Sequence, residues 1–371
     1  MIDTRPSLSL LVIVGALLLV GCHDYPRAED MPSPDDAEAA TVHETPRSAV
    51  QKVSAARPER DLSRRLDVIE YPERQVLELR IGPVDLKTEA RHHYRSPAHL
   101  ATFPFDGYLH GFDWKITAEA PASQVPDRML HHLNIVSPNT RELFVPMAQR
   151  LAAAGRETPK QSISTAVGRP FEKGEAMVVV GKFHRATEHD WEDAVLHIYL
   201  HYSRADNSII EPWAAQPFYL DVMSPTGKTT EAGRFQKDFS VPPGRTVKTW
   251  EGSPSASGNI VGLGGHMHDY GAELRLEDLT AGEVLWKTSP VTDDDGHVTS
   301  VPTERFVWSG GIDVYEDHRY RFTAIYENPL DEPSPHRGMG AMGGLFIPSS
   351  PWPEADTTHR TYQEELASFM Q

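Results

Sequence analysis

The residues best suited to chemistry in this chain are its histidines, 18 among 371 residues. Two of them, His266 and His268, stand one residue apart in the stretch Val-Gly-Leu-Gly-Gly-His-Met-His-Asp-Tyr-Gly-Ala-Glu-Leu-Arg-Leu. Side chains on a β-strand alternate faces, so residues two apart point the same way and both imidazoles can reach one metal ion. The plain alternative is a pair of surface histidines on an exposed strand. His131 and His132 are adjacent, which on a regular strand sends them to opposite faces, one to the core and one to the surface. Sharing an ion would require a bulge or a strong local twist. His197 and His201, in Leu-His-Ile-Tyr-Leu-His-Tyr, share a face but lie far apart for one small ion, so one of them is taken as a ligand. Met339 and Met342 sit among glycines at the head of a strand. A thioether there is either a soft ligand, which favours copper over zinc or magnesium, or the filler of an irregular gap.

Strands must position these groups. Residues 75–81 alternate apolar with polar side chains and meet Gly82-Pro83, a strand and its stop. The same reasoning expects strands at 108–117, 129–137, 176–184 and 194–203, then at 218–223, 247–250, 260–268, 272–277, 305–308, 320–326 and 342–347. Thr280-Ala281-Gly282 is a hairpin turn. Pro146 and Gly155 frame a short helix, since proline suits a first helical turn and glycine the position past the end. A second short helix is expected near Leu366 and Phe369. Many short strands with little helix make an all-β chain of sandwiches or jelly rolls.

The formal net charge of −17 argues against nucleic acid, whose phosphates demand a basic face. At the N-terminus, Arg5 precedes an apolar run over residues 8–20 that ends in Leu19-Val20-Gly21-Cys22, the pattern of a bacterial lipobox. Cys22 is the only cysteine, so its natural use is lipidation and no disulfide framework is available. The sequence therefore expects an exported lipoprotein of the bacterial cell envelope, held to the membrane through Cys22. The expected organisation is a signal peptide and lipobox over 1–22 and a disordered tether over 23–66, whose composition buries too little to order itself. A first β-sandwich spans 67–205, a second 206–350, and a tail with the short helix 351–371.

Taken in order, Leu77-Glu78-Leu79-Arg80-Ile81, Leu130-His131-His132-Leu133, Leu200-His201-Tyr202, Val241-Pro242-Pro243-Gly244, His266-Met267-His268 and Met342-Gly343-Gly344-Leu345-Phe346-Ile347 resemble the copper type II, ascorbate-dependent monooxygenases. That family includes peptidylglycine α-hydroxylating monooxygenase and dopamine β-monooxygenase. The resemblance implies two tandem jelly-roll sandwiches carrying one copper each across a solvent-filled cleft. It assigns the first copper to His131, His132 and His201, with His197 as the fallback for His201, and the second to His266, His268 and Met342. The implied reaction hydroxylates a C–H bond of a small-molecule substrate with O2 and a reductant such as ascorbate. Peptide-acting members carry an arginine two residues before the His-x-His, and an asparagine and a tyrosine after the methionine; here those places hold Gly264, Gly344 and Phe346. The substrate is therefore expected to differ from a C-terminal glycine peptide. The alternative expectation is a non-catalytic copper-binding envelope lipoprotein.

Overall fold

Alternating apolar residues need a second layer to cover them, and this chain provides it twice. The computed structural model describes residues 25–31, 40–49 and 65–370, apart from short stretches at 91–92, 120–122, 156–160, 163–164, 187, 207–210, 225–227, 230–234, 237, 295–296 and 307–308. The chain is all-β: strands dominate, and the α-helix Arg360–Met370 closes the C-terminal end. The expected signal peptide and Cys22 lie outside the described residues, among which no helix is long and apolar enough to cross a membrane.

The first sheet runs in the order Thr41–His43, Val68–Tyr71, Val76–Leu86, Trp191–Arg204, Gly107–Ala118, Val167–Phe171, Trp213–Ala214. Facing it is a second sheet of Tyr94–Arg95, Ala176–Phe183, Leu130–Arg141 and Ala148–Gly155, with His99–Thr102 also on Ala176–Phe183. Leu77, Leu79, Ile81, Leu196, Ile198 and Leu200 of the first sheet meet Leu133, Ile135, Met177 and Val179 of the second in one buried core. A third sheet holds Gln216–Asp221, Gly340–Pro348, Gly258–Met267 and Glu304–Arg305 in that order, and a fourth holds Gly244–Gly252, Tyr320–Asn328, Gly271–Asp278 and Glu283–Thr288. Between them lies a second core built on Leu220, Leu263, Leu274, Leu276, Phe322 and Phe346. Leu143, Phe144, Val145 and Met147, which follow the first-half strand Leu130–Arg141, also pack into this second core. Glu142 locks that crossing. Fully buried, it accepts from the backbone N–H groups of Arg150 at 2.7 Å and Tyr219 at 2.9 Å.

Three expectations change here. Residues 148–155 form a strand, not a helix. Their alanines are good helix formers, but Ala152 and Ala154 are small enough to seat in the first core while the backbone pairs with Leu130–Arg141. The strand expected to stop at Gly82-Pro83 continues to Leu86, held by pairing of Val84 with Ala194 and Leu86 with Trp191. The tether is also partly folded. Tyr25, Ala28 and Met31, spaced three apart, are buried on the outer face of the first sheet. The Ala28 N–H donates to Asp113 Oδ2 at 2.8 Å, and Thr41–His43 adds a strand to the sheet edge.

The outer face of the first sheet also buries charge. Glu78 accepts from His197 Nδ1 at 2.6 Å, from Arg80 in a two-pronged contact at 2.9 and 2.8 Å, and from the Tyr71 hydroxyl at 2.8 Å. Burial works against its charge, yet His197 and Arg80 hold the carboxyl down to about 2. A carboxyl lowered in the fold stabilises it above the unfolded value and loses that contribution as pH falls through the folded one. Glu78→Gln is therefore expected to lower the unfolding free energy at pH 7 by about 2 kcal/mol. It should also flatten the stability loss of the parent chain between pH 4.5 and about 2. Urea unfolding of both chains at pH 7 and pH 3 checks this; equal losses on acidification would refute it.

Candidate metal centre

The adjacent pair His131 and His132 reaches a common side through the device that adjacency requires. Along Leu130–Arg141, Gly181 pairs with Leu133 and Lys182 with His132, but the next partner residue, Phe183, pairs with Leu130. One strand advances by one residue while the other advances by two, so His131 is the extra residue of a β-bulge. Leu130 and Leu133 both remain fully buried in the first core, and the two histidines between them both turn out of it. Their rings stack at 4.1 Å between centroids, 25° from parallel.

Two further histidines join them. His184 follows the strand Ala176–Phe183 and His93 precedes Tyr94–Arg95, which pairs with that same strand. The ring centroids of His93, His131 and His184 lie 4.9, 4.8 and 4.5 Å apart pairwise. No local motif marks His93 or His184 in the sequence; only the pairing of Tyr94–Arg95 with Ala176–Phe183 carries them to the bulge.

His266 comes from the other half of the chain. On Gly258–Met267, Leu263 and Met267 face the second core, so His266 faces away from it. Its ring centroid stands 6.3 Å from that of His132 and 5.0 Å from that of His268. Six imidazoles thus form one unbroken row, His93 and His184 beside His131, then His132, His266 and His268. The expected cleft between two separate sites is replaced at this point by ring-to-ring proximity.

The surroundings keep His131, His132 and His266 neutral and therefore able to ligate. Burial pushes His131 down to about 3, with Lys182, His184 and His93 adding to the effect. Burial likewise takes His132 well below its ordinary value, helped by His131 and His266. His266 is held down to about 3 by burial, then by His268 and Arg150. His268 Nδ1–H donates to the Arg337 carbonyl at 2.5 Å, which fixes its tautomer and leaves Nε2 as the donor to a metal. Arg150 lies with its guanidinium centre 3.7 Å from the Tyr219 ring centroid, a cation beside the row that sequence reasoning did not single out.

Two assigned ligands are elsewhere. His201 lies on Trp191–Arg204 in the first sheet, on the face opposite the core-facing Leu196, Ile198 and Leu200. It is buried there, its ring stacked on Tyr25 at 4.6 Å. The second sheet lies beyond the intervening core, and packed sheets stand about 10 Å apart, so His201 cannot share an ion with His131 and His132. The fallback His197 is on that same face, bonded to Glu78 and, through Nε2, to the Thr117 hydroxyl at 2.9 Å.

Met342 is also turned away. It pairs directly with Gly265, whereas His266 pairs with Ala341, and partners directly opposite in an antiparallel sheet share a face. Met342 therefore points to the core side, where it is fully buried. Met339 is the methionine left as a candidate. Met339 and His268 each lie one residue past the last strand pair, Met267–Gly340, at the end of the strand that carries His266. The Tyr326 hydroxyl ties the two together, accepting from both backbone N–H groups at 3.0 Å and donating to the Met339 carbonyl.

A donor set of buried, neutral imidazoles, His131, His132 and His266, fits copper. Among the described residues no three His, Cys, Asp or Glu side chains already converge on one point. The rings stack or meet edge to face, so ligation requires rotation about side-chain torsions. Gly264, where the peptide-acting enzymes carry arginine, faces the same way as His266, and a Cβ there would lie 2.9 Å from Thr303 Oγ1.

The class defined by these observations is an all-β protein with a histidine-rich junction between two β-sheet cores. No protein family matches the chain, and no curated protein matches it. Among solved structures it is similar to PNGF-II in two crystal forms. The P21 form shows 7% identity and a TM-score of 0.34, over 73% of this chain and 66% of that one. The C2 form shows 8% and 0.27, over 75% and 60%. It is also similar to the PBSX exported protein XepA, at 11% identity and a TM-score of 0.18, over 72% of this chain and 86% of that one. The chain thus spans slightly under two thirds of the PNGF-II chains, and likenesses at these scores carry no functional conclusion.

Proposed function

We propose that this protein is an exported copper-dependent monooxygenase, anchored in the bacterial envelope through lipidated Cys22, with tandem jelly-roll sandwiches as in the family it resembles. It hydroxylates a C–H bond of a small-molecule substrate using O2 and a reductant such as ascorbate. The observation that carries this reading is the six-imidazole row, above all the 6.3 Å approach of His132 to His266 from opposite halves of the chain. Bound copper, two ions per chain in this reading, supplies one-electron redox chemistry and reactivity toward O2. The chain's own residues supply the rest. His131, His132, His93 and His184 offer imidazoles from the first half, and His266 and His268 from the second, with Met339 as the thioether. The Arg337 carbonyl holds the His268 tautomer, and burial keeps His131, His132 and His266 unprotonated.

A second reading, a copper-storing or copper-delivering lipoprotein, draws on the same continuity, since an unbroken row of ligands suits passing an ion along. The Thr303 hydroxyl beside Gly264, where a peptide clamp would stand, favours it as well. Copper-loaded protein with ascorbate decides between them. The monooxygenase reading expects oxygen uptake above that of equal free copper in the presence of at least one substrate of a broad panel. Tightly held copper without such uptake favours storage, and failure to retain copper on loading overturns both.

A further inference from the structure

Beside the row stands a second group of metal-liganding side chains, exposed where the row is crowded. Asp269 directly follows His268, and its Oδ2 lies 2.9 Å from His297 Nδ1 and 3.7 Å from His336 Nε2. Its Oδ1 accepts from the Val298 N–H at 3.1 Å, which fixes the carboxylate in place. His336 immediately precedes Arg337, whose carbonyl holds His268 Nδ1. Two separate stretches of chain thus bring a histidine to Asp269, the residue after His268. The side chains of His297 and His336 are 47% and 59% exposed, against 19% for Asp269. Two imidazoles and a carboxylate are a donor set that takes copper or zinc. Both histidines approach a single carboxylate oxygen and both face solvent, so the group is open; like the row, its three side chains do not yet converge on one point, and holding an ion requires the exposed rings to turn. An open, exposed group exchanges an ion that a buried one retains.

We propose that Asp269, His297 and His336 form the port at which a copper ion from solution first binds before passing to His268 and the row behind it. The proposal rests on the copper reading given above. The transfer is ligand exchange: an imidazole of the row replaces a port ligand on the ion, which keeps its oxidation state, and no co-reactant is consumed. The competing role, ion pairs that pin two loops, predicts no effect on metal uptake.

The test follows copper supplied as its Cu(I)–bicinchoninate complex, read by loss of the chelator's absorbance. Wild type and His297→Gln/His336→Gln are compared, both positions being exposed. The port predicts loading slowed by about ten-fold or more, the low end of what local ion capture adds to an on-rate, with the same final copper per chain and the same apoprotein Tm. An unchanged loading rate overturns it, and so does a lower final copper content at an unchanged initial rate. In a His132→Ala/His266→Ala background supplied separately with one equivalent of Cu(II), electron paramagnetic resonance should still detect one rapidly exchanging Cu(II), which His297→Gln/His336→Gln abolishes. Its survival in the combined variant overturns the port alone. Absence of copper from wild type removes the underlying reading instead, so the two failures are distinct.

Discussion

His132→Ala and His266→Ala are each expected to lower copper affinity by about 100-fold or more, beyond the 10–100-fold typical of losing a residue that only orients a ligand. His201→Ala should leave copper content at the wild-type level. The contrast follows from the faces these residues occupy. His132 and His266 approach each other across the junction, at 6.3 Å between ring centroids. His201 is sealed under Tyr25 on the far side of the first core. Its loss removes a buried stacked ring and should appear as lower thermal stability, with no change in metal. Equilibrium dialysis against a copper chelator, with metal analysis of the retained protein, reads all three variants. Copper lost from His201→Ala and retained by His132→Ala would reverse the ligand map.

Met342→Ala is expected to cost about 2–5 kcal/mol of stability, the range for truncating a buried methionine, and to leave bound copper unchanged. Met339→Leu should behave in the opposite way. A volume-conserving swap costs less than about 1.5 kcal/mol, but the sulfur contribution to the copper X-ray absorption spectrum should disappear. Urea unfolding and that spectrum together separate the two methionines. Strand register separates Met342 from the row: Met342 sits opposite Gly265, on the buried side, and His266 sits opposite Ala341. A shift of one residue exchanges every face on a strand, so Met342 does not share the face of His266, and Met339, just before the strand, is the methionine left to supply a sulfur.

What could be read from the sequence depended on how local its cause was. Apolar runs and alternation located the long strands Gly107–Ala118, Leu130–Arg141, Ala176–Phe183 and Trp191–Arg204 to within a few residues, because burial of one face or of both is written into each segment. The adjacency of His131 and His132 stated the need for a bulge, and the fold contains one there. The pairing partners were not local and so were not readable. Periodicity says that His197 and His201 share a face, but not that this face lies outside the first core. His93 and His184 are isolated histidines that only the sheet order gathers. Residues 148–155 show helical propensity overruled by a neighbouring strand edge. Tyr25, Ala28 and Met31 looked too sparse to fold, and acquire a partner surface only once the first sheet exists.

The bulge at His131 has a consequence for how such a site can arise. With His131 deleted, Lys182 would still oppose His132 and Phe183 would still oppose Leu130, now in an unbroken ladder. Leu130 and Leu133 would keep their places in the core. The flanking sequence on either side is therefore already in phase with a plain strand carrying a single outward histidine. The second imidazole is, in topological terms, a one-codon insertion that leaves the ladder on both sides in register. A scaffold of this kind can gain or lose a paired ligand by one in-frame event without rebuilding the sandwich around it.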